Sequence, residues 1–361
     1  MRWLLFVLGF TVVNALSQRT RSNELGCKNS PGFSTRRTFG VATGVAVLHG
    51  PPANAADTLV EKLARRDSKV LTKSLFSARP DEMVYPSWFE GEWDTTVKFN
   101  GFEFPTIEKF TKEALVADVA VAGFQKLSIA QLVDVGKPST TYRTRWLSRP
   151  QGGAGGGASS VCVEDRAFNL KNAIDATLGF ERVAPVERVD YDAKANPNRC
   201  SISFRGTTRN AERIELFTNA RASETPPRGT SSTFASPTGS PTGSPANGAA
   251  AGGGAPPPPT STPGSEQPTL RAFVCSELMR QVTYSLSTTA GVAREAITEY
   301  QYFWTYRASP SGTQLRANLL TCAYLEPQDP NFFKAPSQPV AVYSHTVDYR
   351  RVEEPQAPPS R

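Results

Sequence analysis

Ile297-Thr298-Glu299-Tyr300-Gln301-Tyr302-Phe303-Trp304-Thr305-Tyr306-Arg307 alternates from one end to the other. Tyr300, Tyr302, Trp304 and Tyr306 fall on one face, and Glu299, Gln301, Phe303 and Thr305 on the other. Side chains of a β-strand point to opposite faces in turn, so a period-two aromatic row marks a strand laid against the apolar side of a sheet. Residues 140–148 repeat the pattern, with Tyr142, Thr144 and Trp146 set against Arg143 and Arg145. Near the C-terminus Tyr343, His345, Val347 and Tyr349 do the same. Further strand candidates are 92–100, 123–134, 160–165, 199–205, 213–218, 270–276, 280–285, 314–325 and 340–351, most of them bounded by Gly, Pro, Asn or Asp. Many short strands and few helices indicate an all-β antiparallel sandwich or closed barrel.

The aromatic rows admit two interiors. One is a core packed with large side chains; the other is an aromatic-lined calyx that holds an apolar ligand. Ahead of the strands, apolar residues at Leu59, Val60, Leu63, Ala64, Leu71 and Leu75 approach helical spacing and predict a short amphipathic helix in a lead-in over 57–80. The β domain then spans 81–351.

The first 55 residues read as three delivery signals in series. Arg2 and the apolar run 3–13, closed by Val13-Asn14-Ala15, form an ER signal peptide over 1–15. Residues 16–35 are rich in Ser, Thr and basic residues, with one acid, Glu24, which is transit-peptide composition. Arg36-Arg37 precedes a weak apolar run that ends at Ala53-Asn54-Ala55, a twin-arginine export signal over 36–55. In this order they predict the thylakoid lumen of an alga whose plastid has extra membranes. The chain carries 40 Lys and Arg against 33 Asp and Glu, a formal charge of +7. Removing 1–55 takes away six basic residues (Arg2, Arg19, Arg21, Lys28, Arg36 and Arg37) and Glu24, which leaves +2 from the original +7. The basic balance therefore belongs mostly to the leader, and nothing in the mature chain points to a nucleic-acid partner. No apolar run there is long enough for a transmembrane segment.

Residues 225–269 are almost entirely Pro, Gly, Ser, Thr and Ala, with a doubled Ser-Pro-Thr-Gly and the run Pro256 to Pro259. Such a stretch cannot bury enough apolar surface to offset the cost of ordering, so a disordered insertion is expected. A Gly-rich loop is expected at 151–160 and a flexible tail at 352–361. Cys162, Cys200, Cys275 and Cys322 remain after processing and match no zinc spacing. They are either buried thiols or partners in at least one disulfide.

Catalytic chemistry has little to stand on. His345 is the one histidine of the mature chain; Ser344 and His345 face opposite ways on one strand, which rules out a side-by-side Ser-His pair with Asp348. One histidine is too few for an ordinary His-rich metal site, and residues 152–157 lack the ending of a phosphate loop. Asp165-Arg166 reads as a strand end, with Arg166 tied to an Asp in the loop or to a carboxylate at a barrel mouth. Pro327-Gln328-Asp329-Pro330 reads as a rigid turn capped by Asp329.

Gly91-x-Trp93, entering the first strand, resembles the start of lipocalin-like barrels. That resemblance implies a tryptophan closing the floor of a single antiparallel β-barrel. A second set of motifs occurs in order: Asp165-Arg166-Ala167-Phe168-Asn169, Asn196-Pro197-Asn198-Arg199, Ser223-Glu224-Thr225-Pro226, and Tyr324 to Lys334 followed by Pro339-Val340-Ala341-Val342-Tyr343. The set resembles an uncharacterised family of cyanobacteria and plastids, a domain of unknown function, across most of 81–351. No activity or site carries over from it.

The expected protein is a non-catalytic, cofactor-free, lipocalin-like binder of an apolar small molecule such as a pigment, quinone or lipid. The alternative is an assembly factor for a photosynthetic membrane complex. Candidate ligand contacts are Trp93, Tyr142, Trp146, Arg166, Tyr300, Tyr302, Trp304 and Tyr343.

Overall fold

The computed structural model describes residues 57–74, 80–118, 120–125, 127–131, 139–151, 159–179, 183–208, 211–226, 271–286 and 293–353. The three leader segments, residues 227–269 of the expected 225–269 insertion, most of the Gly-rich loop and residues 354–361 lie outside the described residues.

The fold is all-β. Ten strands form one antiparallel sheet: β1 Gly91–Glu103, β2 Thr140–Gln151, β3 Ser159–Glu164, β4 Val186–Tyr191, β5 Arg199–Thr208, β6 Ala211–Glu224, β7 Arg271–Leu286, β8 Ala293–Ala308, β9 Gln314–Tyr324 and β10 Ala341–Arg351. Their order across the sheet is β3-β2-β1-β10-β9-β8-β7-β6-β5-β4. The sheet curls into a barrel-like body but leaves β3 and β4 unpaired with each other, so it is open along one seam rather than closed strand to strand. The three α-helices of the described chain are α1 Leu59–Ala64, α2 Lys112–Ala117 and α3 Arg166–Leu178.

The aromatic alternation sets the registers. Trp304 lies opposite Cys275 on β7 and Leu319 on β9, and Tyr302 opposite Glu277 and Thr321. These inward residues join Trp93, Trp146, Tyr300, Tyr306, Tyr343 and Tyr349 in one buried hydrophobic cluster. Such rings contribute through buried area and through edge-to-face contacts worth about 0.5–1.5 kcal/mol each.

The outward row of β8 is buried as well, because residues 57–74 cross that face as a strap. Leu59 and Leu71 pack on Val274, Leu278, Phe303, Cys322, Tyr324 and Val342. Three polar ties hold the strap: the Glu224 carboxylate accepts from Leu59 N and Val60 N (2.7 and 3.0 Å), Tyr324 OH donates to Leu71 O (2.7 Å), and Lys73 Nζ pairs with Glu299. The expected helix is thus confined to α1 plus one 3-10 turn at Ser68–Val70. Asp67 accepts from Lys69 N and starts that turn afresh, which interrupts the helix.

Three further expectations are corrected. The described part of 123–134 is turn and bend, not strand; together with Val121 and Ala122 just ahead of it, it enters the sheet interior as a plug carrying Leu127, Ile129 and Ala130. Tyr343 OH donates to Ala122 O, Gln281 Oε1 accepts from Ala130 N, and Thr298 Oγ1 donates to Ser128 O. Gly123, at φ +107°, lets the plug pass beside Tyr343, whose ring would stand 2.2 Å from an added Cβ. Second, the candidates 270–276 and 280–285 are one unbroken strand, β7. Third, Asp165-Arg166 does not end in a loop but opens α3, and β4 follows it.

Candidate functional site

The site is built where the sheet fails to close. Asp165 caps α3, its side chain accepting from Phe168 N (3.3 Å), and Gly179 ends it in the left-handed conformation at φ 62°. The helix lies along the seam and substitutes side chains for the missing strand. On the β2 side, Asn169 Oδ1 accepts from Arg145 N (2.7 Å), Asn169 Nδ2 donates to Arg145 O (3.3 Å), and Asn172 Nδ2 donates to Arg143 O (3.2 Å). On the β4 side, Asp175 Oδ1 accepts from Val186 N (2.9 Å) and Lys171 Nζ donates to Val186 O (3.0 Å). These groups satisfy edge backbone that would otherwise lie open.

Residues 80–85 close the other end of the seam. Tyr85 N donates to Cys162 O on β3 (2.8 Å), and Glu82 receives both bonds of Arg149 Nη1 (2.7 and 3.0 Å). Arg221 Nη1 donates to Asp81 O (2.7 Å) and Asn198 Nδ2 to Pro80 O (2.7 Å).

Arg166, the first residue of α3, points into the interior. Its guanidinium donates to Glu277 Oε1 (2.6 Å) and stands 3.5 Å from Glu164 Oε2. Arg221 Nε reaches the same Glu277 oxygen at 2.7 Å. Burial alone would push the Glu277 carboxyl up, but the two guanidiniums overcome it and hold the group at about 2. Glu164 goes the other way. Burial raises it above the ordinary carboxylate value by more than Arg166 lowers it, although Asn169 Nδ2 donates to its Oε1 (3.1 Å). Two carboxylates in one interior thus differ in acidity because one is bracketed by two cations and the other is not.

Beside them is an interior chamber of about 20 Å³, walled by the rings of Tyr142, Trp146, Trp304 and Tyr349 with Glu164 and Glu277 at its floor. Trp146 Nε1 is buried there without a hydrogen-bond partner among the described residues. The volume suits one water-sized molecule.

The eight sequence-predicted contacts divide around this chamber. Tyr142, Trp146 and Trp304 line it, Arg166 grips both of its carboxylates, and Tyr302 sits opposite Glu277. The other three lie elsewhere. Trp93 is fully buried, with Nε1 donating to Phe89 O (2.7 Å) and the Arg351 guanidinium 4.3 Å above its ring. Tyr300 OH bonds Gln281 and Tyr343 OH bonds the plug. Arg166 pairs with Glu277 and Glu164, not with an Asp in a loop; Asp165 is taken by Arg145 at 2.6 Å.

Sequence reasoning missed Glu164, Glu277, Arg221 and Asn169. A signal for Glu277 existed. It stands at an inward position of the alternation Phe273, Cys275, Glu277, Met279, where an acid must be compensated.

His345 faces inward, beside Phe99 (5.2 Å between centroids), and its Nδ1 has no hydrogen-bond partner among the described residues. Burial lowers it to about 4, so it is neutral at pH 7. Asp348 is on the outer face, in line with the exclusion of a Ser-His-Asp set. All four cysteines are free, buried thiols, and burial pushes Cys162 and Cys200 up to about 12. Asp329 Oδ1 accepts from Asn331 N (2.6 Å), the expected turn cap.

At the far end of β1 is an aromatic rim. Phe102, 49 % exposed, meets Phe104 and Phe124 at centroid distances of 5.5 and 5.7 Å, and Phe104 stacks on Phe124 at 5.8 Å. Ile107 and Val116 are exposed in the segment that follows.

Residues 77–238 match the profile of a domain of unknown function, DUF6816. The matched segment runs from the seam-closing residues through β6, and so holds α3, Glu164, Arg166 and Arg221; Glu277 and β7 to β10 lie past its end. No curated protein and no solved structure matches the chain. No helix among the described residues is long and apolar enough to cross a membrane.

Proposed function

We propose that this protein is a non-catalytic interaction module of the thylakoid lumen that docks on a protein subunit of a photosynthetic membrane complex through the Phe102 rim. The observation that carries the reading is a contrast. The large interior rings are packed against one another around a chamber of about 20 Å³, while Phe102, a ring of similar kind, stands half exposed at the rim. An apolar patch with a polar border has the anatomy of a protein interface. The border is mixed in sign, with exposed Glu103, Glu108 and Glu113 beside Lys109 and Lys112. A lipid-surface site would favour Lys and Arg without the carboxylates, so a protein is the better fit. A pigment, quinone or lipid would need an interior far larger than the chamber, since drug-sized ligands occupy roughly 300–1,000 Å³.

The lumenal part of the reading rests on the ordered signals of residues 1–55. The test is a photo-crosslinking amino acid at position 102 in isolated plastids, together with mass spectrometry of an organic extract of the purified native protein. Crosslinks to a subunit of a membrane complex, lost when Ile107→Ser and Val116→Ser are added, are expected. A stoichiometric pigment, quinone or lipid in the extract would overturn the docking reading in favour of a carrier.

A further inference from the structure

The motif Tyr324 to Lys334 ends in an aromatic pair that the fold divides. Phe332 and Phe333 open the 3-10 turn Phe332–Lys334 and stand edge to face, 5.6 Å apart at 76°. Phe332 turns inward against the core, with Lys73 Nζ 5.6 Å from its ring. Phe333 turns outward and is 86 % exposed, more than any other large apolar side chain of the described residues. A lone exposed ring is ordinary, but Phe333 is neither loosely held nor alone. Asp329 O accepts from Phe332 N (3.0 Å), Asp329 Oδ1 from Asn331 N (2.6 Å), Asn331 O from Lys334 N (2.9 Å) and Phe332 O from Ala335 N (3.0 Å), which fixes the turn. The turn is in turn fastened to the segment that follows the rim. Lys109 Nζ donates to Lys334 O (3.0 Å) and Gln338 Oε1 (2.5 Å), Thr106 Oγ1 donates to Pro339 O (3.4 Å), and Lys334 Nζ stands 5.8 Å from the Phe110 ring. Ile107, exposed, sits between the ties at Thr106 and Lys109. The charge here is one-signed. Lys109 meets the neutral acceptors just named and Lys334 Nζ donates to Asn331 Oδ1 (2.9 Å); neither lysine forms an ion pair among the described residues. The carboxylates at hand are engaged, Glu108 by Lys69 at 3.5 Å and Asp329 by the amide of the turn.

We propose that Phe333, flanked by Lys109 and Lys334, is an anchor for an acidic segment of the protein docked on the rim, one that sets Asp or Glu beside an apolar pocket. The proposal rests on the docking reading and adds to it the chemistry of the partner. A ring presented by a fixed turn loses little freedom when it is buried, which is what an interface anchor needs. Two cations without carboxylates of their own leave a positive field, and carboxylates on the partner complement it. An anionic membrane surface calls for a cluster of about four to eight Lys and Arg, more than the two beside this ring. A second copy packed through the same patch would set lysines against lysines.

The test places the photo-crosslinking amino acid at position 333 of the full chain in isolated plastids, and separately at position 102. Crosslinks from 333 to the same subunit that 102 reaches, mapped by mass spectrometry to a peptide rich in Asp and Glu, are expected. Phe333→Ser should lower the yield from position 102 at least about tenfold. Lys109→Gln with Lys334→Gln should lower it at least about threefold, whereas Lys109→Arg with Lys334→Arg, which keeps both charges, should leave it unchanged. A thermal melt of each variant separates loss of the contact from loss of the fold. Crosslinks from 102 without any from 333, a crosslinked peptide without acids, or folded Gln variants that dock as the wild type does overturn the proposal and leave the docking reading standing. Crosslinks from 333 to a lipid or to a second copy of this chain overturn it too. Crosslinks from neither position, or from 333 alone, overturn the docking reading and this proposal with it.

Discussion

Arg166, the first residue of the seam helix α3, reaches into the interior and donates to Glu277 on β7 at 2.6 Å. Strand pairing holds nine of the ten inter-strand boundaries that a closed barrel would have; α3 lies along the tenth, and this ion pair ties the helix to the interior. Arg221, on β6, completes a bracket around the same carboxylate at 2.7 Å. The helix, the seam and the strands behind them thus share one buried anion.

Removing that anion should be costly. Glu277→Gln takes the shared carboxylate from two buried guanidiniums and leaves Arg166 only Glu164 at 3.5 Å, a change that typically costs about 3–5 kcal/mol. Urea unfolding at pH 7 measures it. A loss under about 1 kcal/mol would mean that solvent already compensates the arginines.

Acid should reproduce the same loss in the wild type. A carboxylate held at about 2 contributes stability above its ordinary pKa, and that contribution is lost as pH falls toward about 2. Glu164 has the opposite sign, because its raised pKa makes ionisation unfavourable in the folded state. Glu164→Gln should therefore cost much less than Glu277→Gln at pH 7, and only Glu277→Gln should flatten the stability curve below about pH 4.3. Equal costs for the two variants, or an acid limb unchanged in Glu277→Gln, would refute the assignment.

The seam depends on amides as well as charges. Asn169→Ala deletes two bonds to the backbone of Arg145 and one to Glu164 (2.7, 3.3 and 3.1 Å). Orphaned buried groups cost about 1–3 kcal/mol. Hydrogen exchange should show the Arg145 amide losing protection before the amides of β8 do. Unchanged protection there would mean that α3 is not what covers the β2 edge.

What could be read from the sequence followed from local periodicity. β1, β2, β8, β9 and β10 were legible because one face repeats large apolar side chains every second residue. The helix α3 was not, although Asp165 and Gly179 flank it as ordinary caps. Its buried face carries Arg166 and Asn169 along with Leu170, Ala173, Ile174 and Leu178, so the apolar stripe is diluted by the polar groups that serve the seam. The stretch 123–134 misled for the converse reason: a run of apolar residues reads alike as a buried strand or as a plug inside a barrel. Tyr142, Trp146, Arg166, Tyr302 and Trp304 were placed around one site, but their ionic partners come from three different strands, and no local pattern links Glu164 or Arg221 to Glu277.

The Pro/Gly/Ser insertion should be dispensable for folding. Glu224 and Val274 are already paired across β6 and β7, so a short connection suffices to join them. Loop closure changes by only about 0.6 kcal/mol per doubling of length. Replacing residues 228–268 with a short Gly-Ser linker should leave the melting temperature almost unchanged. A large drop would show that the insertion packs on the sheet.

Trp304→Ala separates a packed interior from a ligand calyx. Trp304 stacks on Tyr306 with centroids 5.2 Å apart and planes 13° apart, meets Tyr302 at 6.5 Å, and forms one wall of the chamber. A chamber of about 20 Å³ gives its neighbours little empty space into which to relax. Truncation should therefore cost about 3–5 kcal/mol, as for other large-to-small core changes. It should also create an apolar void able to take up a small aromatic probe such as benzene, visible as a ligand-dependent rise in melting temperature in the variant but not in the wild type. If Trp304 instead lined a calyx for a natural ligand, its loss would lower stability little and would strip a bound molecule from the native protein. Unfolding measurements paired with mass spectrometry of both proteins distinguish the outcomes, and a near-neutral Trp304→Ala that loses a co-purifying ligand would defeat the interaction-module reading.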